Sequence, residues 1–288
     1  MNHNQSLSVV IPTLGGESLR ETIRRLKGGT LVPNEILVCI PEKEASRVQN
    51  LRIPGVRVID MDVRGQVAQR ARGFVEAVGD LVLQLDDDIQ LNVDCIERLV
   101  RWLNEVGRGN VAGPIYMDGE TGSCVHRIKD GFRGWFQSLY ATTICGAPWG
   151  AARMGRATSI GVDYGVDGDR CQGNRSIETD WLPGGCVLSF KTDLVQEAFF
   201  PFPGKAYCED NMHSLLRRKK GIQHWVVPDA RCSILVPKND FPDSAWQGST
   251  AARRYYTRLN NGNLLRAEVF SALMRIHWFI LNKSKSKI

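Results

Sequence analysis

Short apolar runs alternate with amphipathic stretches along the first half of the chain. The runs LSVVIPT, NEILVCI, VRVIDM and LVLQL are rich in aliphatic and β-branched residues, which indicates buried strands. The stretches between them repeat apolar residues every three or four positions, as Leu19, Ile23 and Leu26 do, and predict helices of about 10–15 residues. This alternation predicts an α/β fold with a mainly parallel sheet flanked by helices.

Three of the predicted strands end in short segments that we expect to lie close together. These segments are Pro12-Thr13, Pro41-Glu42 and Asp86-Asp87-Asp88. Right-handed crossovers bring the carboxyl ends of parallel strands to one edge of a sheet, and ligands bind outside that edge. The pattern therefore predicts one crevice that contains all three segments.

The pattern changes in the second half of the chain. Residues 119–180 are rich in Gly, Arg, Thr and Asp with interspersed aromatic residues, which predicts long irregular structure. A strand, WLPGGCVLSF, a helix that begins near YCED and a further strand, IQHWVVP, follow. The chain ends in a mostly helical segment that we expect to break near residues 260–262.

Charge and cysteine content place limits on the partners and the compartment. The net charge is +6, and residues 250–288 carry eight Lys/Arg against one acid, which makes that segment +7 and the remainder −1. A basic end of this kind indicates phosphates or a lipid surface as a partner, or simply a solvated tail. The eight cysteines are scattered without a C-x-x-C pair, and no signal peptide is visible, so we expect reduced thiols in a cytoplasmic protein.

The three adjacent aspartates are the most unusual feature of the sequence. Asp86, Asp87 and Asp88 follow the apolar strand LVLQL, and neighbouring carboxylates repel one another. One acid there could cap the next helix. Three favour a hard divalent cation such as Mg²⁺ or Mn²⁺, which prefers oxygen ligands and offsets the repulsion.

In its ordered motifs the sequence resembles the inverting nucleotide-sugar glycosyltransferases of the GT-A fold, known as family two. The resemblance rests on Ala71-Arg72-Gly73 at a helix, on Leu85–Asp88, on Gly184-Gly185 before a strand and on the pair Glu209-Asp210. Each motif alone is weak, but the set occurs in the family's order and spacing over roughly residues 7–230. The resemblance implies a donor that is a nucleoside-diphosphate sugar, with Mn²⁺ or Mg²⁺ as cofactor.

The resemblance also implies roles on the donor side. Asp86 and Asp88 would hold the divalent cation, and Asp87 would face the ribose or the sugar. Arg72, together with Arg70, would neutralise the diphosphate or orient the aspartates, although an arginine on a helix surface is the alternative.

The nucleoside would be lined by residues at the ends of the first two strands. Pro12, Thr13 and Leu14 would form the pocket for the base and the ribose. The family usually ends its second strand with an aspartate that contacts the base, whereas this chain has Ile40 and then Pro41. Glu42 is the nearest substitute, so the identity of the nucleotide stays open.

Inversion by direct displacement needs a carboxylate that takes the proton of the acceptor hydroxyl. The resemblance assigns this role to Asp210, beside Glu209, whose charge would raise the pKa of one of the two acids. Alternatively, both acids simply complement the amino end of the helix. Trp181 and the turn Gly184-Gly185 would shape the acceptor side.

The remaining expectations concern metal ligands, domains and partners. Many metal-dependent members place a histidine near the position of Ser233, so the third ligand is unassigned here. We expect a GT-A domain over residues 1–238, with a nucleotide-sugar half (1–118) and an acceptor half (119–238), and a basic helical extension over residues 239–288. The acceptor would be a saccharide or a lipid-linked hydroxyl, with peripheral contact of the C-terminal segment with the inner face of the membrane as a further option.

Two other functions remain as alternatives. A nucleotidyltransferase would need a glycine-rich first loop with a basic residue, whereas Leu14-Gly15-Gly16-Glu17 ends in an acid. A non-catalytic module that binds nucleotide sugars would have no use for the complete set of acids. Binding to nucleic acid is not expected, because the chain has no recognised motif for it.

Overall fold

The computed structural model describes residues 5–171, 175–202, 204–235 and 243–285. Within these ranges nine strands form one sheet. The strands are β1 (Leu7–Pro12), β2 (Glu35–Pro41), β3 (Val56–Met61), β4 (Leu81–Leu85), β5 (Gln90–Leu91), β6 (Asn110–Asp118), β7 (Ile177–Thr179), β8 (Cys186–Phe190) and β9 (Gln223–Ile234).

Seven α-helices occur in the same described ranges. They are α1 (Ser18–Lys27), α2 (Gln66–Glu76), α3 (Cys95–Val106), α4 (Gly131–Tyr140), α5 (Glu209–Lys219), α6 (Asp243–Leu259) and α7 (Leu264–Lys285). Helices α6 and α7 are separate, as the sequence predicts, and the break contains Asn261 with a φ of 52°.

The sheet has the order β3-β2-β1-β4-β8-β6-β9-β5, and β7 pairs with β9. The first four strands are parallel, whereas β8 runs antiparallel to both β4 and β6. The parallel arrangement predicted from the sequence therefore holds for the first half, and the second half is mixed. Val10 is opposite Gln84, so β1 and β4 end side by side. Leu85 is opposite Cys186, which brings the turn before β8 to the same edge.

Helices cover both faces of the sheet because its strands are apolar on both sides. Val9 and Ile11 of β1 pack in the cluster that contains α1 and α3, whereas Val10 packs with Phe74 of α2 on the opposite face. Helix α2 lies unusually close to the sheet at Gly73, where an added Cβ would overlap the side chain of Val10. Continuous apolar strands of this kind are typical of a sheet that is buried on both faces.

Helix α4 is the element that the sequence pattern does not predict. It lies inside residues 119–180, where we expect irregular structure, and it continues into a π-helical turn, Ala141–Cys145. Only Gly134 and Ser138 of α4 are buried, and its large side chains face outward. The helix has no apolar inward stripe, so the usual periodic signal is missing.

Two further features bear on the expectations from composition. All eight cysteines lie in the described residues, and all are free thiols. Among the helices in the described ranges, none is both long and apolar enough to span a bilayer.

Candidate active site

A cleft of about 660 Å³ opens at the carboxyl ends of β1 and β4, where the sequence predicts a crevice. The cleft is lined by Pro12, Thr13, Leu14, Gly16, Ser18, Arg47, Arg64, Gly65, Gln66, Gln69, Asp86, Asp87, Asp88, Gly204, Lys205 and Ala206. The three aspartates therefore share one cavity with the end of the first strand. Acids and bases both contribute to its walls.

Asp86 is held in place by both its backbone and its side chain. Its N–H donates to the carbonyl of Gly185 at 2.8 Å, which ties the end of β4 to the turn before β8. Its Oδ1 accepts from Nη2 of Arg70 at 2.7 Å and from Nε2 of Gln66 at 3.1 Å. Within the described part of the chain, Oδ2 of Asp86 has no hydrogen-bond partner and can coordinate a ligand.

Asp87 and Asp88 differ in their surroundings. The hydroxyl of Thr13 donates to Oδ2 of Asp87, and Thr22 donates to its carbonyl at 2.8 Å, so Asp87 turns toward the loop after β1. Burial raises the pKa of Asp87 despite the bond from Thr13. Partial desolvation and the charges of Asp86 and Asp87 raise the pKa of Asp88. The neighbouring carboxylates therefore repel one another when they are ionised, and a bound cation would relieve that repulsion.

A buried arginine links the aspartates to the second half of the site. Arg70 of α2 donates through Nη1 to Oε1 of Glu209 at the start of α5, and through Nη2 to Asp86. Burial alone would lower the pKa of Arg70, but the charges of Glu209 and Asp86 outweigh it and raise the pKa. Arg70 is therefore a permanent cation between two carboxylates from different elements.

Asp210 lies next to this ion pair and beside the turn before β8. An added Cβ on Gly184 would overlap Oδ1 of Asp210, so the glycine makes room for the carboxylate. Burial raises the pKa of Asp210 well above its ordinary range, and the charge of Glu209 raises it further. A carboxyl group with this shift can accept and release a proton closer to neutral pH than a solvated aspartate can.

The structure does not bring two of the predicted donor-side residues into the cleft. The side chain of Arg72 is 55% exposed and forms an ion pair with Glu76 at 2.7 Å, so Arg70 takes the position expected of Arg72. Glu42 is exposed at the start of a 3₁₀ helix, Glu42–Val48. Arg47 on the same 3₁₀ helix lines the cleft instead. Arg70 and Arg72 are two positions apart on α2, about 200° around the helix axis, so only one of them can face the aspartates.

Of the residues expected on the acceptor side, Gly184 and Gly185 lie at the site, whereas Trp181 is enclosed by other residues. Gly184 and Gly185 lie against the acids, at Asp210 and Asp86. Trp181 is only 5% exposed, donates through its indole N–H to the carbonyl of Tyr164 at 3.2 Å and meets His126 edge-on. Its ring therefore offers no open face to a sugar.

None of the histidines in the described residues lines the cleft. His213 of α5 packs between Phe74 and Phe199, with ring centroids 6.3 and 5.1 Å away. His224 is buried on β9 opposite Val111, at the end of that strand remote from Ser233. The third protein ligand that the sequence leaves unassigned therefore has no histidine candidate here.

Several cleft residues escape the sequence analysis. Gln69 donates to the carbonyls of Thr13 and Cys39 at 2.8 and 2.7 Å, which joins the ends of β1 and β2. Arg64 and Lys205 add positive charge to the wall. Arg70, which is expected on the donor side together with Arg72, lies on the inward face of α2, three residues after Val67.

A second group of possible ligand atoms lies away from the cleft. The donor atoms of Cys124, Asp167 and Asp169 are within 4.8 Å of one another. Asp167 already accepts from the N–H of Ile128 at 2.9 Å, and Asp169 pairs with Arg127 at 3.4 Å. Burial raises the pKa of the Cys124 thiol, which keeps it protonated. These groups are occupied by protein contacts and do not form an open site.

Fold and cleft together define an α/β protein with an acidic site at the ends of its parallel strands. The family model "Glycosyl transferase family 2" matches residues 8–155, half of the chain. The chain therefore belongs to glycosyl transferase family 2. A comparison with curated protein sequences found no match.

Two solved structures share the fold. A structure of GalNAc-T7 with UDP, GalNAc and Mn²⁺ superposes with a TM-score of 0.61 at 15% identity, over 88% of this chain and 48% of that one. The mannosyltransferase PcManGT from Pyrobaculum calidifontis, in complex with GDP-Man and Mn²⁺, gives a TM-score of 0.50 at 14% identity, over 96% of this chain and 81% of that one. This chain thus spans about half the length of the GalNAc-T7 chain. These matches confirm the predicted GT-A-like fold.

The two neighbouring arginines of α2 provide a matched test of the buried ion pair. We expect Arg70→Ala to lower the free energy of unfolding by about 3–5 kcal/mol, because Glu209 would be left buried without its partner. Arg72→Ala removes only an exposed pair and should change it by less than about 0.5 kcal/mol. Chemical denaturation measures both, and equal effects would contradict the role assigned to Arg70.

The raised pKa of Asp210 predicts how stability depends on pH. The folded state keeps this proton at pH values where the unfolded chain, with a pKa of about 3.9, has lost it, so stability falls as pH rises toward the folded pKa. Asp210→Asn cannot ionise and should escape this loss. In thermal unfolding from acidic to neutral pH, the variant should gain stability relative to the parent as pH rises. If the free energy of unfolding of the variant minus that of the parent stays constant or falls as pH rises, the pKa of Asp210 is not raised.

Proposed function

We propose that this protein transfers a sugar from a nucleoside-diphosphate sugar to a hydroxyl of a saccharide or a lipid-linked acceptor, with inversion at the anomeric carbon. One observation carries the proposal, namely that Arg70 joins Asp86 in the cleft to the pair Glu209-Asp210. Because Asp86 and Glu209 share Arg70, the contact supports a donor site next to a general base. Membership of glycosyl transferase family 2 supports the same class of reaction.

The donor set in the cleft fits a divalent cation. Oδ2 of Asp86 is free of hydrogen bonds in the described residues, and Asp88 carries a pKa raised partly by its charged neighbours. We assign Asp86 and Asp88 as the ligands of Mn²⁺ or Mg²⁺, which take carboxylate oxygens together with phosphate oxygens. Both structural neighbours named above were solved with Mn²⁺. When bound, the cation would offset the charge that develops on the leaving nucleoside diphosphate.

The remaining cleft residues suit the other parts of the donor. Pro12, Thr13 and Leu14 line the side next to β1, where we place the nucleoside. Asp87, turned toward Thr13, lies where it can accept from a ribose hydroxyl. Arg47 and Lys205 line the same cavity and can donate to phosphate oxygens, as basic side chains in phosphate sites do.

Asp210 is the group that we assign as the general base. Its carboxylate would take the proton of the acceptor hydroxyl while that oxygen attacks the anomeric carbon. The bond from the anomeric carbon to the diphosphate oxygen breaks on the opposite face, which inverts the configuration. The raised pKa of Asp210 suits this exchange, because a base works best when its pKa lies near the working pH. Glu209, held by Arg70, positions Asp210 and sustains its pKa.

The donor site can be tested by binding alone. Nucleoside diphosphates and their sugars should raise the melting temperature of the protein in the presence of Mn²⁺. At a ligand concentration of a hundred times the dissociation constant, the free energy of unfolding should rise by about 2.7 kcal/mol. The variant Asp86→Asn/Asp88→Asn should lose the part that depends on Mn²⁺. Glu105→Gln, an exposed acid far along α3, is the matched control. The absence of any Mn²⁺-dependent shift across the panel would overturn the donor assignment.

Replacing Asp210 separates the chemical step from donor binding. Asp210→Asn should lower turnover by about 10²–10⁴-fold, the usual contribution of a general base, while the Mn²⁺-dependent binding of the donor persists. Asp229→Asn, which affects only a partly exposed contact with Arg98, should leave turnover unchanged. Product analysis by NMR reports the configuration of the new bond. Retained turnover in Asp210→Asn, or retention of configuration, would remove Asp210 from the role of base.

A further inference from the structure

Helix α4 presents its largest side chains to solvent. Phe132, Trp135 and Phe136 are 77%, 49% and 50% exposed. They pack edge-to-face against one another, and Trp135 also meets Trp149, which is exposed as well. A contiguous group of exposed aromatic rings on a soluble domain marks an interaction surface.

The outward orientation of these rings is enforced by the buried side of α4. Arg153 is fully buried beneath the helix and donates to Oγ of Ser138 at 2.8 Å and to Oε1 of Gln137 at 3.2 Å. Gly134 comes so close to Lys129 that an added Cβ would overlap its carbonyl. Polar bonds and small residues therefore fix the inward side, and the aromatic residues cannot turn into the core without breaking them.

Helix α7 carries a second group of exposed apolar side chains. It packs through Ala267 and Phe270 against Cys145 of the π-helical turn that directly continues α4. Beyond Phe270 its large apolar side chains are mostly exposed, and they are Leu273, Met274, Ile276, Phe279 and Ile280. We call the exposed apolar residues of α4 and α7, with Trp149, the α4–α7 face.

The charges around the α4–α7 face are mainly positive. Lys129 is exposed just before α4, Arg133 is exposed on α4, and Arg275 is exposed on α7. The nearby acids are already paired, Asp130 with Arg170 at 2.5 Å and Glu268 with Nη2 of Arg254 at 2.7 Å. An apolar surface with unopposed cations complements an anionic interface.

This charge pattern distinguishes between possible occupants. A second copy of the chain in a two-fold dimer would set the same cations against each other, which is unfavourable. A neutral glycan could stack on the rings but would leave the surrounding cations without anionic partners. A lipid surface accepts aromatic and aliphatic side chains below the headgroups and cations at the phosphates.

We propose that the α4–α7 face binds the surface of an anionic phospholipid membrane. Helix α7 lies along the interface, in keeping with the finding that no helix of the described residues is able to span a bilayer. The proposal extends the membrane contact expected of the C-terminal segment to α4, and it does not depend on glycosyl transfer. Binding to lipid needs neither donor nor Mn²⁺, so failure of the proposed reaction would leave it intact.

Sedimentation with vesicles tests the proposal. The protein should co-sediment with vesicles in which about a third of the phosphatidylcholine is replaced by phosphatidylglycerol, much less with phosphatidylcholine alone, and less again at high salt. The variant Phe132→Ser/Trp135→Ser/Phe136→Ser should lower the partition coefficient by about tenfold or more. Val78→Ser, at a valine that is 75% exposed outside this face, is the matched control and should bind as the parent does.

Two further measurements make the result decisive. First, the melting temperature of the triple variant should equal that of the parent, because the three rings are exposed. Second, Lys129→Glu/Arg133→Glu, which leaves every apolar side chain unchanged, should also weaken binding to anionic vesicles. Equal binding of parent and both variants would overturn the proposal. So would a parent that stays in the supernatant, or a dimer in analytical ultracentrifugation that the triple variant abolishes.

Discussion

Arg70 reaches from α2 into the space between the end of β4 and the start of α5, and donates there to Asp86 and Glu209. A buried guanidinium is tolerated only when carboxylates or other acceptors surround it, since an unpaired charge in this environment is strongly destabilising. Glu209 likewise needs the guanidinium of Arg70 as its partner in the interior. The two halves of the site therefore depend on Arg70, because neither the buried arginine nor the buried glutamate is stable without the other. This mutual dependence fixes the distance between the aspartates and Asp210.

The charge balance around Arg70 explains the chemistry of the cleft. Five carboxyl groups come together, in Asp86–Asp88 and Glu209-Asp210, and the buried cations near them are Arg70 and Arg217. Burial and the charge of Glu209 raise the pKa of Asp210, and the raised pKa values of Asp87 and Asp88 show how far the repulsion and desolvation extend. The cleft wall also carries Arg47, Arg64 and Lys205. A site with acids in one part and bases in another suits a ligand that combines a cation with an anionic group, as the proposed donor and its metal do.

The sequence predicts the first half of the fold closely, and β4 agrees at both ends, because a strand that is buried along its whole length is a nearly continuous apolar run. It fails at α4, whose inward side holds only Gly134 and Ser138. In the site, the aspartates and the turn at Gly184 come together as expected, whereas Arg70 replaces Arg72. A motif match does not say which way a side chain points, whereas the helical period does. Trp181 is expected on the acceptor side but is enclosed by Tyr164 and His126. Nothing in the neighbouring sequence indicates this contact, because both partners are distant in the chain.

Two arginines, Arg153 fully buried and Arg253 partly buried, also organise the second half of the chain. Arg153 holds α4 through Ser138, and Arg253 donates to the carbonyls of Ile160 and Gly161 at 3.0 and 2.7 Å while its guanidinium lies 4.6 Å from the centre of the Phe270 ring. Directional hydrogen bonds therefore do here what apolar packing does around β1. Because these contacts use Ser138 of α4 and only Phe270 among the large apolar side chains of α7, the other large apolar side chains of both helices are left mostly on the surface. The exposed aromatic residues are thus a consequence of how this half is held together, and a partner can bind them without disturbing the cleft.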